Sequence, residues 1–275
     1  MAAMAVRTVL PPVGPVARPV LEPNAALAAR IDLTPTIARF VVRPDDEVGA
    51  FEPGQYFALG LSVDGRLLQR PYSTSSARDT RTELEFLVRL VPGGAFTPRL
   101  WALRVGERLR IGRAKGLFTL RRGDPRTHLF VATGTGLAPF LSMVESLIRD
   151  DWEGSARPGG PVTASPRAIV IHGVSHVAEL AYRDRLERLA ADLGGVHYVP
   201  VVSRPTDPAN AGWAGQTGRL DVGLGRIFDT HRLEPTTSVA YLCGNPEMIA
   251  TAERILAARG FDRDAIVSEQ YWPTA

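Results

Sequence analysis

Leu129-Phe130-Val131-Ala132-Thr133-Gly134-Thr135-Gly136-Leu137-Ala138-Pro139-Phe140 is the stretch where the chain changes its period. Four apolar residues in a row form a short run of the kind buried on both faces of a parallel sheet. A threonine–glycine turn follows, and a helical pattern then runs to about residue 149. Strand, glycine turn and helix together are the context of an anion-binding loop, because a backbone without Cβ atoms lets N–H groups approach a phosphate at the helix start. The spacing is G-x-G-x-x-P rather than the usual dinucleotide fingerprint, so its meaning comes from what surrounds it.

Downstream, strand patterns at 168–171, 196–202, 239–243 and 265–268 alternate with helical patterns at 178–192, after Gly218-Arg219, and at 246–259. That alternation predicts an open, doubly wound parallel sheet. Ligands of such sheets lie across the carboxyl ends of the strands, which directs attention to the loops 134–139, 173–176, 203–204 and 243–246. Residues 153–166 are rich in Gly, Pro, Ser and Ala and read as a surface insertion. Upstream, from about residue 20 to residue 120, the apolar residues come in short alternating runs with turn residues between them, which predicts antiparallel strands closing into a small barrel. The expected strands are 25–33, 36–42, 55–63, 69–75, 83–91 and 108–113, and Asp64-Gly65 is a strong hairpin turn. One helix is expected in this half, at Thr97-Pro98-Arg99-Leu100, with Thr97 as its cap and its N-terminus offered to a phosphate.

Within the barrel half, Arg70-Pro71-Tyr72-Ser73-Thr74-Ser75-Ser76 joins a cation, an aromatic plate and a row of hydroxyls. Strand alternation puts Arg70 and Tyr72 on one side and Pro71 and Ser73 on the other. A guanidinium fork suits a pyrophosphate, a tyrosine ring stacks on a heterocycle, and serines reach a polar edge. Flavin adenine dinucleotide has all three parts. In the second half, Ser203-Arg204 follows an apolar strand, Arg219 supplies a further cation, and no carboxylate ends that strand. A hydroxyl and two guanidiniums favour the extra phosphate of NADP over the ribose hydroxyl of NAD.

Composition bounds the rest. The 275 residues are 45% hydrophobic and 22% charged, ordinary for a globular protein of two domains. The formal charge of +3 is carried by arginines and the single lysine, Lys115, with acidic residues interleaved. This argues against nucleic acid and is compatible with docking a small acidic protein. The one cysteine, Cys243, rules out an internal disulfide and a chain-ligated iron–sulfur cluster, so a one-electron relay belongs on another chain. No histidine spacing indicates a metal site. Prolines interrupt residues 1–17, which read as a disordered arm rather than a signal peptide, and no apolar run approaches the roughly 20 residues that cross a bilayer. A cytoplasmic protein without membrane contact is expected.

The ordered series Arg70-x-Tyr72-Ser73, Gly94 to Thr97, Gly134-Thr135-Gly136-Leu137-Ala138-Pro139, Val202-Ser203-Arg204, Cys243-Gly244-Asn245-Pro246-Glu247-Met248 and Ser268-Glu269-Gln270-Tyr271-Trp272 resembles the ferredoxin/flavodoxin–NADP(+) reductase superfamily, and most of all its bacterial flavodoxin-type members. The resemblance implies an N-terminal antiparallel Greek-key β-barrel for FAD over residues 18–124 and a doubly wound α/β domain for NADP over 125–275. It implies that Arg70, Pro71, Ala95, Phe96 and Thr97 hold FAD, that Tyr72 stacks on one face of the flavin, and that Ser73 sits by its reactive nitrogen. Thr135 would lie near the flavin and the nicotinamide. Tyr271 would cover the other flavin face, with Trp272 extending that cover. Gly134, Gly136, Ser175, Ser203, Arg204, Arg219, Cys243, Gly244 and Asn245 would receive NADP, and Ser73, Cys243, Glu269 and Tyr271 would form the catalytic cluster. The implied partner is a ferredoxin or flavodoxin, and the enzyme is expected to be a monomer or to associate weakly. Two features depart from the pattern: Val174-Ser175-His176 stands where bacterial relatives often carry an arginine, and 213–218 resembles oxygenase reductases, several of which use NADH. The alternatives are therefore the reductase component of an oxygenase and a flavin-binding electron-carrier module without turnover.

Overall fold

In the computed structural model, residues 22–155, 168–193 and 195–271 are described. The expected arm at 1–17, most of the insertion and Trp272 lie outside them. The first half is a six-stranded antiparallel sheet built from Ala25–Thr34 (β1), Ile37–Pro44 (β2), Tyr56–Val63 (β3), Arg66–Ser73 (β4), Leu84–Arg89 (β5) and, after the short helix Thr97–Ala102 (α1), Arg108–Ile111 (β6). The strand order is β4-β3-β6-β1-β2-β5. The turn between β3 and β4 is the expected one: Asp64 (φ 50°) and Gly65 (φ 72°) are both left-handed, which matches the twist of the hairpin they join.

The barrel closes at the serine-rich stretch. Thr74 bridges Phe86, and Ser75 N–H donates to Glu85 O at 2.9 Å. The hydroxyls of Thr74 and Ser75 donate to the same carbonyl (3.1 and 3.0 Å), while Ser76 Oγ accepts from Glu85 N–H at 2.8 Å. Of the row expected to reach a cofactor edge, Thr74, Ser75 and Ser76 are thus engaged with the β5 backbone and Ser73 is not. Its neighbours are buried and satisfy the backbone of β5 where regular strand pairing stops.

The second half is a parallel sheet of Thr127–Thr133 (β7), Ala168–Val174 (β8), Val196–Val202 (β9), Gln216–Thr217 (β10), Ser238–Gly244 (β11) and Ile266–Gln270 (β12), in the order β10-β9-β8-β7-β11-β12. The chain starts in the middle at β7, runs outward through β8 and β9, then returns to the other side of β7 with β11. The switch point lies between β7 and β11. Helices Ala138–Ser155 (α2) and Arg183–Asp192 (α3) cover one face, where Phe130, Val170 and Tyr241 meet Phe140, Val144 and Leu186. Helices Leu220–His231 (α4) and Pro246–Ala258 (α5) cover the other, where Leu129, Val131 and Leu242 meet Leu224, Phe228 and Ile249. The first of these cores is shared with the barrel half through Ile37, Leu87, Phe118 and Leu120.

Two helix expectations differ from the fold. The segment expected as a helix over 178–192 is a 3-10 turn, Val177–Glu179, followed by α3, with Tyr182 left-handed between them (φ 58°). That conformation buries the Tyr182 ring, and its hydroxyl lies 2.7 Å from Ser75 Oγ of the barrel, so a tertiary bond overrides the helical pattern. Thr97 does not cap α1. The N-cap is Phe96, and Thr97 Oγ1 instead accepts from Val91 N–H at 2.9 Å. Among the described residues no helix is long and apolar enough to cross a membrane, and no group of three or more potential ligands could hold a metal ion.

Candidate functional site: the seam between barrel and sheet

At the switch point, β7 ends in the turn Gly134–Leu137 and β11 ends in Gly244-Asn245. These backbones approach too closely for side chains. A Cβ on Gly136 would stand 2.5 Å from Cys243 O, and one on Gly244 would stand 2.3 Å from Thr133 Oγ1. Gly134 and Gly244 also have positive φ (53° and 127°), where glycine carries no penalty. Thr133 Oγ1 accepts from Asn245 N–H at 2.8 Å, and Asn245 Oδ1 caps α5 by accepting from Glu247 and Met248 N–H groups. The β8 side adds His172, fully buried. Its Nε2 donates to Gly134 O at 2.9 Å, and its Nδ1 accepts from the Tyr198 hydroxyl at 3.3 Å. Burial depresses the imidazole to about 4, so it is neutral when it makes these two bonds.

Above these turns lies a cleft of about 640 Å³. Thr133, Gly134, Thr135, Ser175, Ser203, Arg219, Gly244, Asn245 and Tyr271 line it. Three residues expected to receive NADP are not on its wall: Cys243, fully buried, and Gly136 and Arg204. Gly136 is buried beneath it, acting through close packing. Arg204 is exposed, and its carbonyl accepts from Asn210 Nδ2 at 2.7 Å. Arg219 lies 3.9 Å from the exposed Glu247. Sequence reasoning missed Arg89 and Glu179, which also line the cleft and approach each other across the seam at 3.5 Å. Glu179 Oε2 accepts from Ser175 N–H at 3.0 Å. No local pattern marks this pair, because it forms only when β5 meets the loop after β8.

The two halves also meet at Ser73. Its hydroxyl donates to Glu269 Oε2 at 3.3 Å and accepts from the Tyr271 hydroxyl at 3.2 Å. Glu269 stands opposite Cys243 in the β11–β12 register, and Tyr271 N–H donates to Gly244 O at 3.2 Å. Burial raises the Glu269 carboxyl above its ordinary value, with the Ser73 bond opposing. Burial first, then the Glu269 charge, pushes the Cys243 thiol well up, which makes it a neutral packing group. Burial likewise raises Tyr271. On the barrel side Tyr72 packs on Phe96, ring centroids 5.9 Å apart, while Arg70 Nη1 donates to Gln69 O at 2.8 Å. Pro71 and Ala95 are exposed next to them. This donor set suits FAD and a pyridine nucleotide: a guanidinium and bare backbone for phosphates, tyrosines from both halves for flat rings, and glycines where a Cβ would clash.

The family model of an oxidoreductase FAD-binding domain matches residues 24–120, and that of an oxidoreductase NAD-binding domain matches 130–254. Ferredoxin–NADP reductase A of Sorangium cellulosum (strain So ce56) is 38% identical over 229 residues, covering 77% of this chain and 74% of that protein. The reductase component of a phenol 2-monooxygenase from Pseudomonas sp. (strain CF600) is 30% identical over 256 residues, 92% of this chain and 67% of that protein. In fold, the chain is similar to a ferredoxin NADP+ reductase from Neisseria gonorrhoeae solved with bound FAD and NADP: TM-score 0.75, 24% identity, covering 90% of this chain and 98% of that one. The chain belongs to the ferredoxin–NADP reductase family of FAD-dependent oxidoreductases that use NAD(P)H.

Proposed function

We propose that the protein transfers electrons between NADP(H) and a one-electron carrier protein, a ferredoxin or flavodoxin, through bound FAD. The observation that carries this reading is the Ser73–Glu269–Tyr271 hydrogen-bonded chain beside Cys243, formed where the barrel mouth meets the switch point of the parallel sheet. When bound, FAD accepts a hydride at its N5 and releases electrons singly.

The residues of the chain bind, orient and shield. Tyr72, backed by Phe96, offers a flat plate for the flavin, and Tyr271, from the other half, would cover the opposite face and yield to a nicotinamide. Arg70, whose Nη1 donates to Gln69 O, would hold the pyrophosphate with its guanidinium, where donor and acceptor are both charged. The Thr97 hydroxyl is engaged with Val91, so Thr97 contributes its backbone N–H, beside Phe96 and the exposed Ala95 and Pro71. Ser73 Oγ holds the proton that Glu269, favoured in its protonated form by burial, can supply or take back. Cys243 packs as a neutral thiol. Gly134, Thr135, Gly244 and Asn245 form the floor for nicotinamide and pyrophosphate, with Gly136 setting its shape from below, and Ser175, Ser203 and Arg219 face the adenosine end.

Anaerobic stopped-flow mixing of the FAD-loaded protein with NADPH tests the reading: the flavin band bleaches, and reduced protein then passes electrons to ferredoxin or flavodoxin. A flavin left oxidised by excess NADPH and NADH rejects it. A second reading, an NADH-fed reductase of an oxygenase, is favoured by one observation. Arg204 is exposed and not on the cleft wall, so of the two arginines expected at a 2′-phosphate only Arg219, itself near Glu247, lines the cleft. A lower KM for NADH than for NADPH would select it.

A further inference from the structure

Asn210 belongs to no motif, yet it is 2% exposed and bonds with three backbone groups. Its Oδ1 accepts from Val177 N–H at 2.8 Å, and its Nδ2 donates to Ser175 O at 3.0 Å and to Arg204 O at 2.7 Å. The partners fix the amide orientation, since only N–H can donate to Oδ1 and both carbonyls need a donor. Both amide hydrogens are used, so Asn210 has no donor left for a ligand. Its partners lie in the loops after β8 and β9, and both loops place a residue on the cleft wall, Ser175 and Ser203. A second tie joins the same segments: His176 Nε2 lies 3.1 Å from Asp207 Oδ2. Asp207 also accepts from Ala209 N–H at 2.9 Å, which starts the 3-10 turn carrying Asn210.

We propose that Asn210 is a positioning residue for the pyridine nucleotide, clasping the loops after β8 and β9 into the wall that receives its adenosine half. The inference rests on the functional reading above. Among the described residues the two loops share one direct backbone bond, at their base, Ser203 N–H to Val174 O at 2.9 Å, so the spacing between Ser175 and Ser203 above it depends on Asn210, a buried side chain further along the connection that follows β9. Beyond that bond, the side-chain hydrogen bonds that span them among the described residues are those of Asn210 and the His176–Asp207 pair, beside apolar packing of Val174, Val177 and Leu180 with Val202 and Trp213.

The test uses the full-length, FAD-loaded protein. Asn210→Asp keeps the shape and the acceptor but turns an oxygen toward two carbonyls, and Asn210→Ala removes all three bonds. In both variants KM for NADPH and for NADH rises about tenfold or more, whereas kcat at saturation stays within about twofold, as expected when a buried hydrogen-bonding group acts on binding rather than on chemistry. FAD content and reduction by dithionite are unchanged. A retained KM in Asn210→Asp overturns the inference. Hydrogen exchange of the wild-type protein gives a readout that needs no variant: added NADP+ or NADH slows exchange at Val177 and across 204–213 together, and no change there also overturns it. A wild-type protein that turns over while Asn210→Asp keeps its KM removes this inference alone; one that binds neither nucleotide removes the functional reading as well.

Discussion

Ser73 is bound on one side by a carboxyl from β12 and on the other by a phenol from the residue just beyond it, so its hydroxyl is oriented before any ligand arrives. The carboxyl is the titrating member. Burial puts the folded-state pKa of Glu269 above its unfolded value, so the stability linked to its proton is complete below the usual glutamate range and is lost as pH rises through the raised value. Glu269→Gln has no such loss. Its melting temperature is expected to gain on the wild type as pH rises from about 4 to about 8, starting from the ordinary glutamate pKa. Parallel pH curves for the two proteins would contradict this. With the proton relay removed, kcat of the same variant falls about a hundredfold while nucleotide KM is kept. At this scale the four residues that the resemblance grouped, Ser73, Cys243, Glu269 and Tyr271, come together in the structure. Arg89 and Glu179 went unseen because each is an ordinary surface charge until the fold brings them together.

Among the elements, the β7 turn and the end of β11 are locked by backbone contact. In Gly136→Ala the new methyl meets Cys243 O at 2.5 Å and Gly244 Cα at 2.8 Å, both backbone atoms that cannot rotate away. The variant is expected to lose about 1–3 kcal/mol of stability, as overpacked sites do, and to bind NADP+ more weakly. Urea unfolding with a parallel titration of nucleotide checks both, and a variant of wild-type stability would show that the turn can move apart. The β-hairpin at Asp64-Gly65 and the β7–turn–α2 unit were legible in the sequence, because each is specified by residues adjacent in the chain. The break at Tyr182 was not, because its cause is a bond to Ser75 more than a hundred residues away in sequence.

Across the whole molecule, the halves share a core rather than a hinge. Phe118, which follows the last barrel strand, packs on Phe140 (centroids 5.9 Å) and Tyr241 (6.4 Å) of the parallel-sheet half. The backbone N–H of Arg121 donates to the Tyr241 hydroxyl at 3.1 Å. Phe118→Ala is expected to cost about 3–5 kcal/mol, the usual range for a large buried aromatic, and to lower the unfolding midpoint of both halves together. Circular dichroism and flavin fluorescence followed along one denaturant series would coincide; two separate transitions would mean that the halves unfold independently.

By itself the sequence determined the two architectures and their order, because hydrophobic period, turn residues and glycine placement act over a few residues and do not depend on distant partners. Through a family resemblance it also pointed to Ser73, Cys243, Glu269 and Tyr271, which meet at the seam, and not to Arg89 and Glu179. Only the tertiary structure decided which residues face the cleft: it turned Thr74, Ser75 and Ser76 to barrel closure, set Gly136 beneath the floor, left Arg204 exposed off the cleft wall and brought Asn210 in to join two loops. Buried polar groups must find hydrogen-bond partners wherever the fold supplies them. Those partners are set by long-range packing, which leaves no local signature in the chain.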